Sequence, residues 1–158
     1  MNNNTKDIEQ YIFKYVNQSR EKAGLKEFSS NRGLVYLSRR HSHKMAEQKH
    51  IYHGENVHIA KEYINKELSF FEKIICSFTD TIKYRGISGE NVALMFKGNV
   101  KGFQREISSD KDIASALHIN WMNSPGHRAN ILNSDFKLLG IGIKRRGKAF
   151  YATEVFFG

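Results

Sequence analysis

The sequence predicts a single-domain α+β fold, and three observations lead there. Helical periodicity dominates the first half of the chain. A glycine-led apolar run then interrupts it. After one more helix the chain closes on two strand-like runs separated by Arg145-Arg146-Gly147. A doubly wound sheet would instead alternate strand and helix throughout. The length of 158 residues and the apolar fraction of 40% suit one packed core, so residues 1–158 read as one unit.

The first helix is expected from Asn4 or Thr5 to Ala23. Ile8, Tyr11, Ile12, Tyr15 and Val16 recur at spacings of three and four and form one apolar stripe. Asn4 or Thr5 is placed to cap it, and Gly24 to end it. A second helix covers Arg32 to Lys49, with Leu34, Leu37, His41 and Met45 on one face. His41 therefore reads as a packed core histidine. His53-Gly54-Glu55-Asn56 reads as a loop.

Residues 58–82 read as a helical elaboration around Ile59, Tyr63, Phe70, Phe71, Ile74, Ile75 and Phe78. Gly89 to Phe96 is a strand entered through a glycine turn, and Lys97 to Ser109 a polar surface loop. A third helix begins near Asp110, with Ile113, Ala116, Leu117 and Trp121 inward. Pro125, the only proline, ends or breaks it. Leu138 to Lys144 and Ala149 to Phe157 make a hairpin.

The net charge of +9 favours acidic partners such as anionic headgroups or polyanionic glycans, and equally fits a solvated surface. The densest basic cluster is Lys144, Arg145, Arg146 and Lys148. No nucleic-acid motif accompanies the charge, and the basic residues do not line one helix, so a nucleic-acid partner is not expected. The single cysteine, Cys76, excludes an intrachain disulfide; it lies in an apolar run with no base beside it and reads as a small core hydrophobe. No run approaches the ~20 apolar residues of a membrane span. Residues 1–4, Met-Asn-Asn-Asn, read as the remnant of a tether.

Three groups carry chemistry. The first is the run His41, His43, His50 and His53. These cannot share one site, because two residues along a helix rotate His43 about 200° from His41, whereas His53 lies past the helix end. The second is Gly89-Glu90-Asn91, where glycine permits a tight turn before a carboxylate able to accept hydrogen bonds or ligate a cation. The third is Trp121-Met122-Asn123-Ser124-Pro125-Gly126-His127-Arg128-Ala129-Asn130-Ile131-Leu132. Pro125 and Gly126 fix a turn, His127 follows, and Arg128 and Asn130 supply donors. The tripeptide Gly54-Glu55-Asn56 competes with the second group, but Glu90 heads an apolar, strand-like run and Glu55 does not.

In motif and order, the helix leading to His53, the Gly-Glu-Asn strand, the Trp-to-Leu segment and the final hairpin resemble the bacterial branch of the CAP superfamily. That superfamily groups cysteine-rich secretory proteins, antigen 5 and pathogenesis-related 1 proteins. The resemblance spans nearly the whole chain. It implies a three-layer α-β-α sandwich with a central antiparallel sheet. It also implies a groove in which His53, Glu90 and His127 occupy tetrad positions. The fourth position, a glutamate in many eukaryotic members, falls on Ser124. Glu154 stands where the last strand commonly has glutamine; it either restores a carboxylate near the groove or lies on the strand.

Two imidazoles and a carboxylate, His53, His127 and Glu90, match an open Zn²⁺ site. Alternatively, His127 and Glu90 hydrogen-bond each other. The resemblance implies an exported or lipid-anchored surface protein whose groove binds a lipid, sterol, peptide or host factor, its export or anchor segment lying outside this sequence. Hydrolysis is the alternative, with His127 as base and Ser124 or a metal-bound water as nucleophile. It is disfavoured because Ser124 precedes a proline, where its hydroxyl is suited to capping the next helical turn, and because no Asp is placed to orient the imidazole.

Overall fold

A computed structural model describes residues 5–54, 56–67, 86–104 and 106–158. Residues 1–4, read above as a tether, Glu55, Cys76 and the part of the expected helical elaboration beyond residue 67 lie outside the described residues. In chain order the elements are α1 (Lys6–Lys22), β1 (Ser29–Ser30), α2 (Arg32–Gln48), α3 (Asn56–Glu67), β2 (Ser88–Phe96), α4 (Asp110–Asn123), α5 (Pro125–Ile131), β3 (Leu138–Arg146) and β4 (Ala149–Phe157).

The strands form one sheet in the order β1-β3-β4-β2. The hairpin β3–β4 pairs antiparallel, as does β2 with β4. The expected all-antiparallel sheet needs one correction: β1 pairs parallel with β3, through Ser29 opposite Leu138 and Ser30 opposite Leu139. A parallel neighbour requires a long crossover, and the whole chain from α2 to α5 supplies it. Two residues carry no alternation, so β1 has no sequence signature.

Side-chain alternation gives the sheet two apolar faces. Ala93, Met95, Leu139, Ile141, Phe150, Ala152 and Phe156 meet Ile8, Ile12 and Val16 of α1 and Ile113, Leu117 and Trp121 of α4. On the other side Leu138, Val155 and Phe157 meet Leu34 and Leu37 of α2 and Ala60 and Ile64 of α3. The result is a three-layer α-β-α sandwich.

The α2 layer lies unusually close to the sheet. A Cβ on Gly140 would fall 2.1 Å from the carbonyl carbon of Leu34, and one on Gly142 2.2 Å from the Arg39 nitrogen. The contact is also polar. Ser38 Oγ donates to the Gly140 carbonyl at 2.9 Å, and Ser42 Oγ to the Gly142 carbonyl at 2.8 Å.

Helix ends explain several boundaries. Asn31 caps α2 by accepting from the Leu34 N–H. Ser109 and Asp112 form a capping box at the start of α4. Thr5 precedes α1 without capping it; its hydroxyl donates instead to the Ile143 carbonyl at 3.0 Å. Glu9 accepts from the Ile143 N–H at 3.1 Å and from Arg39. The start of α1 thereby satisfies the edge of β3 that the short β1 leaves uncovered.

Candidate functional site

The site lies at one end of β2, where α2, the loop after it and α5 converge. The loop is set first. His41 is 4% exposed, and its Nε2 meets the Tyr52 carbonyl at 2.8 Å. A carbonyl only accepts, so Nε2 carries the proton. His41 is thus the core residue its spacing indicates, and it fixes the segment that carries His53.

Glu90 is the hub. Its Oε1 accepts from the Gly54 N–H at 2.8 Å and meets His53 Nδ1 at 3.2 Å, while Oε2 accepts from the Asn56 amide at 2.5 Å. The first Gly-Glu-Asn tripeptide thereby supplies two donors to the carboxylate of the second. Sequence reasoning missed Asn56; the repetition of the tripeptide was its one visible signal. The carboxylate side chain is 2% exposed, whereas the His53 imidazole is 63% exposed. Glu90 is therefore a buried holder, and His53 the group presented to solvent. With Nδ1 committed to Glu90, Nε2 of His53 is the nitrogen left with a lone pair.

Across the groove, the His127 ring lies 6.4 Å from that of His53, at 47° between planes. Burial, and secondarily the neighbouring His53, hold the His127 imidazolium pKa below its ordinary value. Its Nδ1 is buried and has no partner among the described residues. The expected alternative, a bond between His127 and Glu90, does not form: Glu90 bonds His53.

The Trp121–Leu132 segment has a structural task as well. β2 is an outer strand. Trp121 Nε1 donates to the Val92 carbonyl at 3.3 Å and Asn130 Nδ2 to the Glu90 carbonyl at 3.4 Å. These carbonyls are two residues apart and lie on one edge of the strand, which the two side chains seal. Buried Arg20 anchors the far end by donating to the carbonyls of Ile131 and Asn133. Nothing in the spacing marked Arg20 for this.

Pro125 marks the break between α4 and α5, as expected, and stands in the first turn of α5, where its missing N–H costs nothing. Two local expectations are corrected. Ser124 precedes that helix, but its hydroxyl makes no capping bond; the backbone carbonyl of Ser124 instead accepts from the Arg128 N–H. Gly89 lies inside β2 and makes no turn. Its surroundings are tight: a Cβ there would come within 3.0 Å of the Phe136 ring and 3.1 Å of Asn130 Oδ1, and these side chains would have to give way.

Glu154 does not join this groove as a second exposed carboxylate. It pairs in register with Asn91, so it faces the α1–α4 side, opposite to Glu90. It is 0% exposed and accepts from Asn91 Nδ2 at 2.9 Å through Oε2, while Oε1 has no partner among the described residues. Burial pushes its pKa up to about 8, against the opposing pull of the Asn91 bond. Asn91 also donates to the His127 carbonyl at 3.1 Å and accepts from Asn130 at 2.9 Å. One amide thus links Glu154 to α5.

The three-layer sandwich brings His53, held by the buried Glu90, to within 6.4 Å of His127 beside the outer strand β2, and so defines an α-β-α domain with a histidine pair at its sheet edge. The chain belongs to the cysteine-rich secretory protein family, whose CAP domain model matches residues 13–157. It is 29% identical over 154 residues to the uncharacterized protein YkwD of Bacillus subtilis, covering 95% of this chain and 47% of that one. The chain thus spans about half the length of that relative.

Among solved structures it resembles an outer surface protein of Borrelia burgdorferi, with TM-score 0.66 and 15% identity over 98% of this chain and 94% of that one. It also resembles an SCP-domain extracellular protein of Bacillus anthracis, with TM-score 0.59 and 20% identity over 96% of this chain and 40% of the other. Among the described residues no helix is long and apolar enough to cross a membrane.

Proposed function

We propose that this chain is an extracellular binding module. Its groove takes a divalent cation weakly through His53 and His127 and holds a lipid, sterol, peptide or host surface factor alongside. The observation that carries this reading is the commitment of Glu90. Both its oxygens accept hydrogen bonds, from Gly54, Asn56 and His53. Such a carboxylate serves as the orienting partner of a ligating imidazole. The ligand set is then two histidines, with Glu90 behind His53.

A pair of protein ligands leaves most of the coordination shell to water or to a bound molecule, which makes for modest affinity. Among the described residues no three His, Cys, Asp or Glu side chains are placed to hold a metal ion together, so a cation here has at most the two imidazoles as protein ligands. The depressed pKa of His127 favours its neutral, ligating form at neutral pH. A bound zinc ion would supply Lewis acidity to a ligand carbonyl or phosphate. Hydrolysis by Ser124 draws less support, since the buried Nδ1 of His127 is not held by that hydroxyl or by any other described group.

Native mass spectrometry with added zinc tests the reading. One ion is expected on the wild-type chain at neutral pH, lost at about pH 5 and absent from the H53A/H127A variant. A chain that stays bare throughout, or equal loading of the variant, would sink it.

A further inference from the structure

The outward face of α2 carries Arg32, Tyr36, Arg39, Arg40 and Lys44, all exposed or half-buried. Their spacings place them within one half of the helix circumference, while Leu34, Leu37, His41 and Met45 occupy the inner half. The hairpin cluster, a hundred residues away in sequence, joins this face. Arg146 donates from its guanidinium to the carbonyl of Ala46 at 2.8 Å and to that of Glu47 at 3.3 Å. Two basic groups that are unrelated in the sequence thus become one stripe. It runs the length of α2, about 25 Å for 17 residues, and continues onto the β3–β4 turn.

Two carboxylates touch it, against four cations on α2 and Arg146. Glu47 is the only carboxylate on α2 and pairs with His43 at 3.1 Å, and Arg39 is engaged by Glu9. Tyr36 is 54% exposed and stacks one face of its ring on Tyr63, with centroids 5.5 Å apart and 16° between planes. Such an aromatic plate among cations suits a sugar ring carrying anionic groups.

We propose that this stripe is a docking surface for a linear sulfated polysaccharide. Charge complementarity identifies the ligand as a polyanion, and the narrow, linear layout fits a chain better than a flat bilayer. A single aromatic platform is fewer than a single-stranded nucleic acid uses for successive bases. The surface abuts the pocket that His53 lines, since Arg40 and Lys44 border both, while His127 lines neither.

Binding of a heparin oligosaccharide, followed by calorimetry in low and physiological salt, tests it. R40S/K44S should weaken binding about tenfold, Y36A severalfold, and added salt should weaken the wild type steeply. K14S/K111S removes the same charge from the opposite layer and should change affinity less than twofold. H53A/H127A should bind heparin normally, which separates this proposal from the cation groove. Circular dichroism on each variant confirms folding. Absence of binding, or equal losses in both charge pairs, would overturn the proposal. So would tighter binding to phosphatidylglycerol vesicles or duplex DNA at matched salt.

Discussion

Glu90 and Glu154 are both buried carboxylates on neighbouring strands, yet they sit on opposite faces of the sheet and behave as opposites. Glu90 lies at the groove and receives donors on both oxygens, from a backbone N–H, an amide and an imidazole. Glu154 lies among the α1–α4 side chains with one donor and one unpartnered oxygen among the described residues, and its pKa climbs to about 8. Burial alone therefore does not make a site. What differs is the supply of hydrogen bonds: among the described residues three donors meet the Glu90 side chain and one meets that of Glu154.

The comparison depends first on how tightly α2 is laid against the groove face, and the largest effect is expected there. Gly140→Ala forces a methyl into the Leu34 backbone. It should cost about 3 kcal/mol or more in urea unfolding, at or beyond the upper range for overpacking. A cost below about 1 kcal/mol, the lower end of that range, would mean that α2 has room to move.

The second test breaks the contrast at Glu154. The folded chain keeps a proton on Glu154 that the unfolded chain releases, between the ordinary value of 4.5 and about 8. Stability therefore falls as pH rises through that window, by at most about 1.4 kcal/mol per pH unit for this one group. Glu154→Gln keeps the shape and removes the titration. Its unfolding free energy should exceed that of the wild type increasingly from pH 5 to pH 8, and the gap should level off above that. Parallel pH profiles would remove the contrast.

The third test sharpens the role of Glu90. Glu90→Gln should lower zinc affinity about 10- to 100-fold, in the range for loss of an orienting partner, and NMR of His53 should show its Nδ1–H tautomer less populated. The smallest effect belongs to Ser124→Ala. The hydroxyl caps nothing, so the loss should stay within about 0.5 kcal/mol, short of the ~1 kcal/mol of a working cap. A larger loss, or abolition of any peptidase activity, would restore Ser124 as a working residue.

Much of this was legible beforehand. The helices showed in apolar periodicity, and the hairpin in two runs around Arg145-Arg146-Gly147. The groove residues showed as motifs: His53 past a helix end, Glu90 after a glycine, His127 after Pro125-Gly126. Roles were less legible than positions. Ser124 stood where an N-cap belongs and does not cap. Gly89 was expected to turn the chain, but it lies inside β2, close against Phe136.

The order of residues was enough to settle the α+β class, the inward faces of the helices and the set of polar residues available to a site, because these follow from local periodicity and turn chemistry; the three-layer arrangement was implied by the family resemblance. Which carboxylate faces the groove was settled only on folding. That depends on strand register, and a shift of one residue would exchange the two faces. Folding also produced the two-residue β1, which exists only because β3 offers an edge, and gave Asn56, Arg20 and Arg146 their uses. Each of these makes hydrogen bonds to partners about 34 to 113 residues away, a distance in sequence over which no local pattern carries information.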